Sequence, residues 1–110
     1  MKKVTRLFSL FVALLALLAS PVLAQTTGSI SGELRDEKQA IVTNATVTVR
    51  NVRTNETRTT QTGTDGRYQF AGMPVGDYEV SIESTGFAKY VQSGITLVLN
   101  QQATVDATLK

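Results

Sequence analysis

The chain has 110 residues, with 11 Lys and Arg against 9 Asp and Glu, a formal net charge of +2, and no Cys, His or Trp. The absence of Cys excludes disulfide bonds and a lipid-modified cysteine, and the absence of His removes the commonest metal-binding side chain and general base. The basic residues are scattered among acidic ones, so no basic stripe points to nucleic acid.

Residues 1–24 have the three-part pattern of a secretory signal peptide. A positively charged head at residues 2–6 precedes an apolar run at residues 7–19, and Val22-Leu23-Ala24 supplies small residues for cleavage. The run is shorter than the about 20 apolar residues that a spanning helix needs, so we expect cleavage and membrane contact only through the uncleaved leader. Residues 25–110 would remain, 86 residues with a net charge of −1, enough for one small domain.

Several short segments of residues 25–110 carry apolar side chains at every second position, which is typical of half-buried strands. In chain order, the positions predicted to face inward are Ile30, Gly32 and Leu34; Ala45, Val47 and Val49; Tyr68 and Phe70; Tyr78, Val80 and Ile82; Ile95, Leu97 and Leu99; and Val105, Ala107 and Leu109. Residues 25–28 are expected to be a flexible lead, and residues 87–91 a weaker strand or a bend. About seven strands and no amphipathic helix predict an all-β, antiparallel sandwich of two sheets, with a closed barrel as the alternative.

Residues 56–62 are polar on both faces, and this pattern favours an edge strand that follows a hairpin turn at Arg53-Thr54-Asn55. Glu56, Arg58 and Thr60 mark the candidate edge, where a strand of a partner could add to the sheet. The charges of Glu56 and Arg58 are of the kind that prevents such pairing, so the sequence favours a guarded edge.

Five motifs together carry a family resemblance. In chain order they are residues 28–32 (GSISG), 41–49 (IVTNATVTV), 64–70 (TDGRYQF), 73–78 (MPVGDY) and 86–87 (GF). This order resembles the carboxypeptidase regulatory-like domain and extends over essentially all of residues 25–110. The resemblance implies a seven-stranded, Ig-like or transthyretin-like sandwich, sometimes grouped with carbohydrate-binding-like folds, that has neither a catalytic role nor a cofactor.

Domains of this family accompany metallocarboxypeptidases, and they also follow the signal peptide of TonB-dependent, Oar-like outer-membrane receptors. The order of leader and domain in this chain is similar to the second arrangement. The resemblance therefore implies a bacterial protein of the periplasm or outer membrane, or a secreted one. We expect an accessory or interaction domain whose partner is another envelope protein or a downstream receptor domain; the alternative is a carbohydrate-binding module.

The candidate ligand-binding surface consists of turn residues. Asp36, Asp65 and Asp77 lie in predicted turns, and Tyr90 is the tyrosine expected to be partly exposed. The three carboxylates lack the dense alternating spacing of a calcium loop, so no metal site is predicted. No nucleophile stands beside a suitable base, so the sequence predicts no catalytic residue and no enzyme.

Overall fold

The computed structural model describes residues 27–110. The regular secondary structure of these residues consists of β-strands. The strands are β1 (Thr27–Asp36), β2 (Thr46–Asn51), β3 (Thr57–Gln61), β4 (Arg67–Pro74), β5 (Gly76–Glu83), β6 (Tyr90–Leu97), β7 (Gln102–Thr104) and β8 (Ala107–Leu109). The predicted leader, residues 1–24, lies outside the described residues. Residues 27–110 contain no helix that is long and apolar enough to cross a membrane.

The strands form two sheets of four. In sheet 1, β1 is central: it pairs antiparallel with β4 on one side, and parallel with β7 and then β8 on the other. Sheet 2 has the order β3-β2-β5-β6, and all its pairs are antiparallel. The predicted all-β sandwich is confirmed. It has eight strands rather than seven, and the two parallel pairings depart from the antiparallel pattern that alternation suggested.

The core lies between the sheets and contains the predicted inward positions apart from Leu99. Its fully buried side chains include those of Ile30 and Leu34 in sheet 1 and of Val47, Val80 and Ile82 in sheet 2, each 0% exposed. The alternation therefore identified the buried face of most strands. Burial of each such side chain stabilises the fold by about 1.5–3 kcal/mol.

Two predicted boundaries are wrong. β6 ends at Leu97 because residues 98–101 form a turn, in which the Gln101 side chain accepts a hydrogen bond from the Val98 amide at 2.9 Å. Leu99, which was predicted to face inward, therefore lies on the turn and is 52% exposed. At the other boundary, β1 already begins at Thr27, so the last two residues of the expected flexible lead belong to sheet 1.

The last predicted run begins at Val105, but its strand, β8, begins at Ala107; the additional strand β7 precedes the run, and Val105 and Asp106 form a break between the two strands. The break leaves the Glu33 amide of β1 beside a gap in the neighbouring strand. The Asp106 carboxylate accepts a hydrogen bond from this amide at 2.9 Å and replaces the missing backbone partner. Val105 remains buried, as the alternation predicted.

Gly32 of β1 lies where a side chain of β4 reaches across β1 to the break between β7 and β8. It pairs with Tyr68 of β4, whose hydroxyl donates a hydrogen bond of 2.5 Å to the Val105 carbonyl. A Cβ atom on Gly32 would lie 1.9 Å from that carbonyl oxygen and 2.7 Å from the Tyr68 hydroxyl, so only glycine fits. Burial raises the pKa of Tyr68 well above its usual range, and the charges of Asp106 and Tyr90 add to the rise.

Thr62 is a buried polar residue that the sequence placed on the exposed edge strand. It is 2% exposed, its hydroxyl donates to the Val42 carbonyl at 2.9 Å, and the same oxygen accepts from the Ala45 amide at 3.0 Å. These two bonds fix the segment that leads into β2 against the segment that leaves β3. Thr62, the last residue of segment 56–62, therefore belongs to the core. The prediction that both faces of this segment are exposed does not hold for this residue.

Candidate functional site

β3 lies at the edge of sheet 2, where the polar pattern of residues 56–62 predicts an edge strand. The Asn51 amide donates to the Glu56 carbonyl at 2.9 Å, and the Thr62 amide donates to the Ala45 carbonyl at 3.0 Å. Because residues of an antiparallel strand alternate between facing their partner and facing away, even-numbered residues of this segment direct their backbone groups towards β2. The backbone groups at the open edge are those of Thr57, Thr59 and Gln61.

Two of the candidate edge residues, Arg58 and Thr60, lie in the edge strand β3. Glu56 precedes β3, and Arg58 and Thr60 direct their backbone groups towards β2. The Arg58 guanidinium crosses to sheet 1, where it donates to the carbonyls of Ala71 at 3.1 Å and of Gly72 at 3.4 Å. The Arg58 guanidinium is therefore bound to carbonyls of β4 and does not cover the open edge of β3.

The other sheet edges carry features that hinder strand addition. β4 has an extra residue relative to β1 near Gly72, at the place where Arg58 binds. β6 has an extra residue relative to β5 near Gly94, and β7 and β8 have three residues each. Bulges, charges and short strands all discourage edge-to-edge pairing. Within residues 27–110, β3 is the edge without such a feature.

A polar groove of about 640 Å³ lies on sheet 1. Its lining residues are Ser29, Ser31, Gly32, Glu33, Gln61, Asp65, Arg67, Tyr68, Gln69, Gln102, Thr104 and Asp106. Glu33 is engaged in ion pairs, with Arg35 and, at 3.5 Å, with Arg67. Besides these side chains and the carboxylates of Asp65 and Asp106, the groove offers the hydroxyl and amide groups of its serine, threonine and glutamine residues.

Each of the candidate loop residues makes a hydrogen bond within the domain. Asp36 accepts from the backbone amides of residues 38 and 40, and Asp65 accepts from that of residue 67. Asp77 accepts from the Thr96 hydroxyl at 2.9 Å, and the Tyr90 hydroxyl donates to the Gln92 side chain at 2.8 Å. The three carboxylates thus stabilise turns and a strand pair, as turn chemistry explains for Asp36 and Asp65.

The structure does not bring these candidate residues together. Asp36 is the last residue of β1, and Asp65 lies just before the start of β4, at the same end of the sandwich, here called the Asp36 end. Asp77 follows Pro74, which pairs with Thr27, the first residue of β1. Since β1 has 10 residues at about 3.3 Å each, Asp77 lies at the opposite end, here called the Thr27 end. Of the candidate loop residues, Asp65 lines the polar groove.

The acidic residues do not form a metal-binding cluster. In the part of the chain that the structure describes, no three His, Cys, Asp or Glu side chains come together in a group that could hold a metal ion. Two surfaces offer hydrogen bonds to a ligand: the open edge of β3 through its backbone groups, and the groove on sheet 1 through its side chains.

Comparison with known families identifies the class of domain. The profile of the carboxypeptidase regulatory-like domain matches residues 29–110, so the chain belongs to this family. This confirms the family that the five sequence motifs indicated. The family is a non-catalytic, regulatory or binding-like domain. A search of curated proteins finds no significant match.

Solved structures share the fold at low sequence identity. The Bacillus anthracis TIE protein matches 76% of this chain with a TM-score of 0.67 and 20% identity, and the match covers 16% of that protein. Catechol 1,2-dioxygenase of Acinetobacter radioresistens matches 76% with a TM-score of 0.60 and 13% identity, over 52% of its length. A candidate carbohydrate binding protein of Pseudomonas aeruginosa matches 80% with a TM-score of 0.54 and 20% identity, over 92% of its length. The chain thus spans about a sixth of the first protein and half of the second, and these likenesses concern the fold.

Proposed function

We propose that this protein is a non-catalytic, exported interaction domain of the bacterial cell envelope. Its export rests on the leader pattern of residues 1–24, and its envelope location rests on the family resemblance. Its partner in this proposal is another envelope protein, or the receptor that follows it if the domain belongs to a TonB-dependent receptor. The observation that carries the proposal is the open edge of β3.

The β3 edge supports binding of an extended segment by strand addition. Thr57, Thr59 and Gln61 present their backbone amides and carbonyls outwards, and none of them carries a charge. Strand addition uses such main-chain groups for affinity and side-chain pockets for specificity. Since Arg58 is held by β4, its charge does not have to be displaced before a partner strand can pair.

The test uses the absence of cysteine from the chain. A Thr59→Cys variant carries one thiol at the open edge; once labelled with benzophenone maleimide, it should cross-link to the envelope partner on illumination, because the benzophenone needs no thiol on the partner. Val91→Cys is the matched control, since Val91 is 50% exposed on β6, at the opposite edge of sheet 2 from β3. Equal cross-linking of both variants would argue against binding at the edge.

A second variant separates strand addition from mere proximity. Thr59→Pro removes an outward-facing amide without removing a bond to β2, because proline is tolerated on an edge strand where its N–H would face solvent. We expect an unchanged melting temperature and loss of partner binding. In the parent protein, the amides of Thr57, Thr59 and Gln61 should exchange with deuterium more slowly when the partner is bound. Undiminished binding by the proline variant would refute strand addition.

Carbohydrate binding is the second candidate function. For this function we place the sugar site in the polar groove on sheet 1 rather than at the turn loops. The hydroxyl and amide groups of the groove suit a sugar, and a structural neighbour is named as a candidate carbohydrate binding protein. A Ser31→Arg variant would fill the groove, whereas Thr48→Arg would place the same side chain on sheet 2. We expect any glycan bound on an array to be lost in the first variant and kept in the second. An array without a reproducible signal would remove this candidate.

A further inference from the structure

Four exposed apolar side chains form a patch at the Thr27 end of the sandwich. Val52, Val75, Val98 and Leu99 are 45%, 42%, 55% and 52% exposed, and they come from three different connections between strands. This group is called the apolar end patch below. Clustered exposed apolar residues mark interaction sites more often than single ones do.

The members of the patch are held next to one another. Val75, Val98 and Leu99 line one shallow cavity of about 520 Å³. The Val52 amide donates to the carbonyl of Asp77, a residue of the same cavity, at 3.0 Å. Val75, Val98 and Leu99 therefore share one surface, and the backbone of Val52 is bound beside it.

The charged groups that line the cavity are one anion, Asp77, and one cation, Arg53. The Asp77 carboxylate accepts a hydrogen bond of 2.9 Å from the Thr96 hydroxyl. Arg53 also lines the cavity, and its guanidinium suits a phosphate group. An apolar surface with a cation at its rim matches the headgroup and acyl boundary of a phospholipid layer.

The leader joins the sandwich at this same patch. The carbonyl of Thr27, the first residue of β1, accepts a hydrogen bond of 3.0 Å from the amide of Asn100, the residue after Leu99. Seven residues, 20–26, separate Thr27 from the predicted apolar run at residues 7–19. Seven residues span at most about 25 Å, so until the leader is cleaved, the membrane surface that holds its apolar run lies within that distance of the patch.

We propose that the apolar end patch rests on the phospholipid surface from which the leader emerges. The Thr27 end then faces the bilayer, and the Asp36 end points away from it. The loops insert their apolar side chains at the depth of the headgroups, and Arg53 lies against lipid phosphate. This inference does not depend on the β3 edge, which is a separate surface.

The experiment uses the absence of tryptophan from the chain. Leu99→Trp places the only indole in the patch, and Val91→Trp places one at a 50% exposed position of β6 outside it. Both are made in residues 25–110, which contain both sheets and the whole described core, so that the leader cannot carry the binding. With vesicles of phosphatidylethanolamine and phosphatidylglycerol, we expect a blue shift and quenching by brominated lipid for Leu99→Trp alone.

A binding variant complements the fluorescence. Val98→Asn combined with Leu99→Asn should weaken co-sedimentation with these vesicles by about tenfold or more, since two apolar side chains are lost from the contact. Val91→Asn is the matched control and should bind as the parent does. Circular dichroism and the melting temperature establish that the variants are folded.

Three kinds of result would overturn the proposal. The first is a negative result with lipid: residues 25–110 do not bind the vesicles, or both tryptophans respond alike. The second is a blue shift of Leu99→Trp that grows with protein concentration without lipid, which would show that a second copy covers the patch. The third is a blue shift in the full 110-residue chain without lipid, absent from residues 25–110, which would show that the leader covers it.

Discussion

The interior around Gly32 and the open edge at β3 differ in how completely their polar groups are paired. Among the described residues, no buried side-chain nitrogen or oxygen lacks a hydrogen-bond partner, and Tyr68 and Thr62 each bond to backbone carbonyls. At β3, by contrast, the backbone groups of Thr57 and Thr59 have no neighbouring strand within the sheet. We therefore expect changes in the interior to alter stability, and changes at the edge to alter the proposed binding of a partner.

The largest expected effect is in the interior of sheet 2. Tyr78 is 2% exposed, and its hydroxyl donates to the Pro74 carbonyl at 2.6 Å. Tyr78→Ala should lower the free energy of unfolding by about 3–5 kcal/mol, because it removes a buried aromatic ring and leaves a cavity. Urea denaturation measures this loss, with Thr59→Ala at the edge as the control. Equal stability of the two variants would contradict the distinction between interior and edge.

Gly32→Ala should cost about 3 kcal/mol, because the new methyl group meets the Val105 carbonyl at 1.9 Å and the backbone cannot move away without breaking sheet 1. Gly63→Ala is the matched control, since its new methyl group would meet only the Asp65 carboxylate, at 3.3 Å. Thermal unfolding of both variants checks the prediction. A Gly32→Ala protein as stable as the control would mean that Tyr68 and Val105 are not packed against this residue.

Thr62→Val should lower the free energy of unfolding by about 2 kcal/mol, since it keeps the shape of the side chain but leaves the buried Ala45 amide and Val42 carbonyl each one hydrogen bond short. The same change at Thr59, which is exposed, should have little effect. Guanidinium unfolding of the two variants makes the comparison. A loss of stability in Thr59→Val but not in Thr62→Val would mean that Thr59, and not Thr62, is the buried threonine.

Tyr68→Phe should cost about 1 kcal/mol near neutral pH, because it removes the hydrogen bond to the Val105 carbonyl. It should also change the pH dependence. The pKa of Tyr68 is raised in the folded state, mainly by burial, so the unfolded chain loses this proton first, near pH 10. The stabilisation is complete below about pH 10 and is lost as the pH rises above it. Urea unfolding between pH 9 and 11 should therefore show a steeper decline for the parent than for Tyr68→Phe, and parallel declines would contradict this.

The smallest expected effect is at Arg58. Its hydrogen bonds to the Ala71 and Gly72 carbonyls are exposed, so Arg58→Ala should cost less than about 1 kcal/mol. Partner binding at β3 should persist, because Arg58 protects β4 and not β3. Differential scanning calorimetry and the cross-linking assay on Thr59→Cys measure the two properties. Loss of partner binding with unchanged stability would assign Arg58 to the binding surface.

The sequence was sufficient to predict the layers of the fold. Side chains alternate with a period of two along any strand, so Tyr68, Phe70 and Tyr78 could be placed inside from the pattern alone. The end of a strand has no such period. Leu99 continues the alternation of Ile95 and Leu97, and it is exposed because the turn at residues 98–101 ends the strand before it.

The candidate site depended on contacts between distant parts of the chain, which the local pattern does not contain. The bonds of Thr62 go to Val42 and Ala45, 20 and 17 residues away. Arg58 was interpreted as a guard of its own strand, but its acceptors lie on the other sheet, 13 and 14 residues further on. The backbone phase of β3, which exposes Thr59 rather than Arg58, is likewise set by pairing with β2 and not by side-chain polarity.

The parallel pairing of β1 with β8 has a mechanical consequence. The first strand begins at the Thr27 end, and the last one finishes beside Asp36 at the other end. A pulling force applied to the two ends of the sandwich would therefore slide β1 along β7 and β8 and load their hydrogen bonds simultaneously, instead of peeling them apart one after another. Single-molecule stretching between positions 27 and 110 should accordingly require a greater rupture force than stretching across the antiparallel pair of β5 and β6.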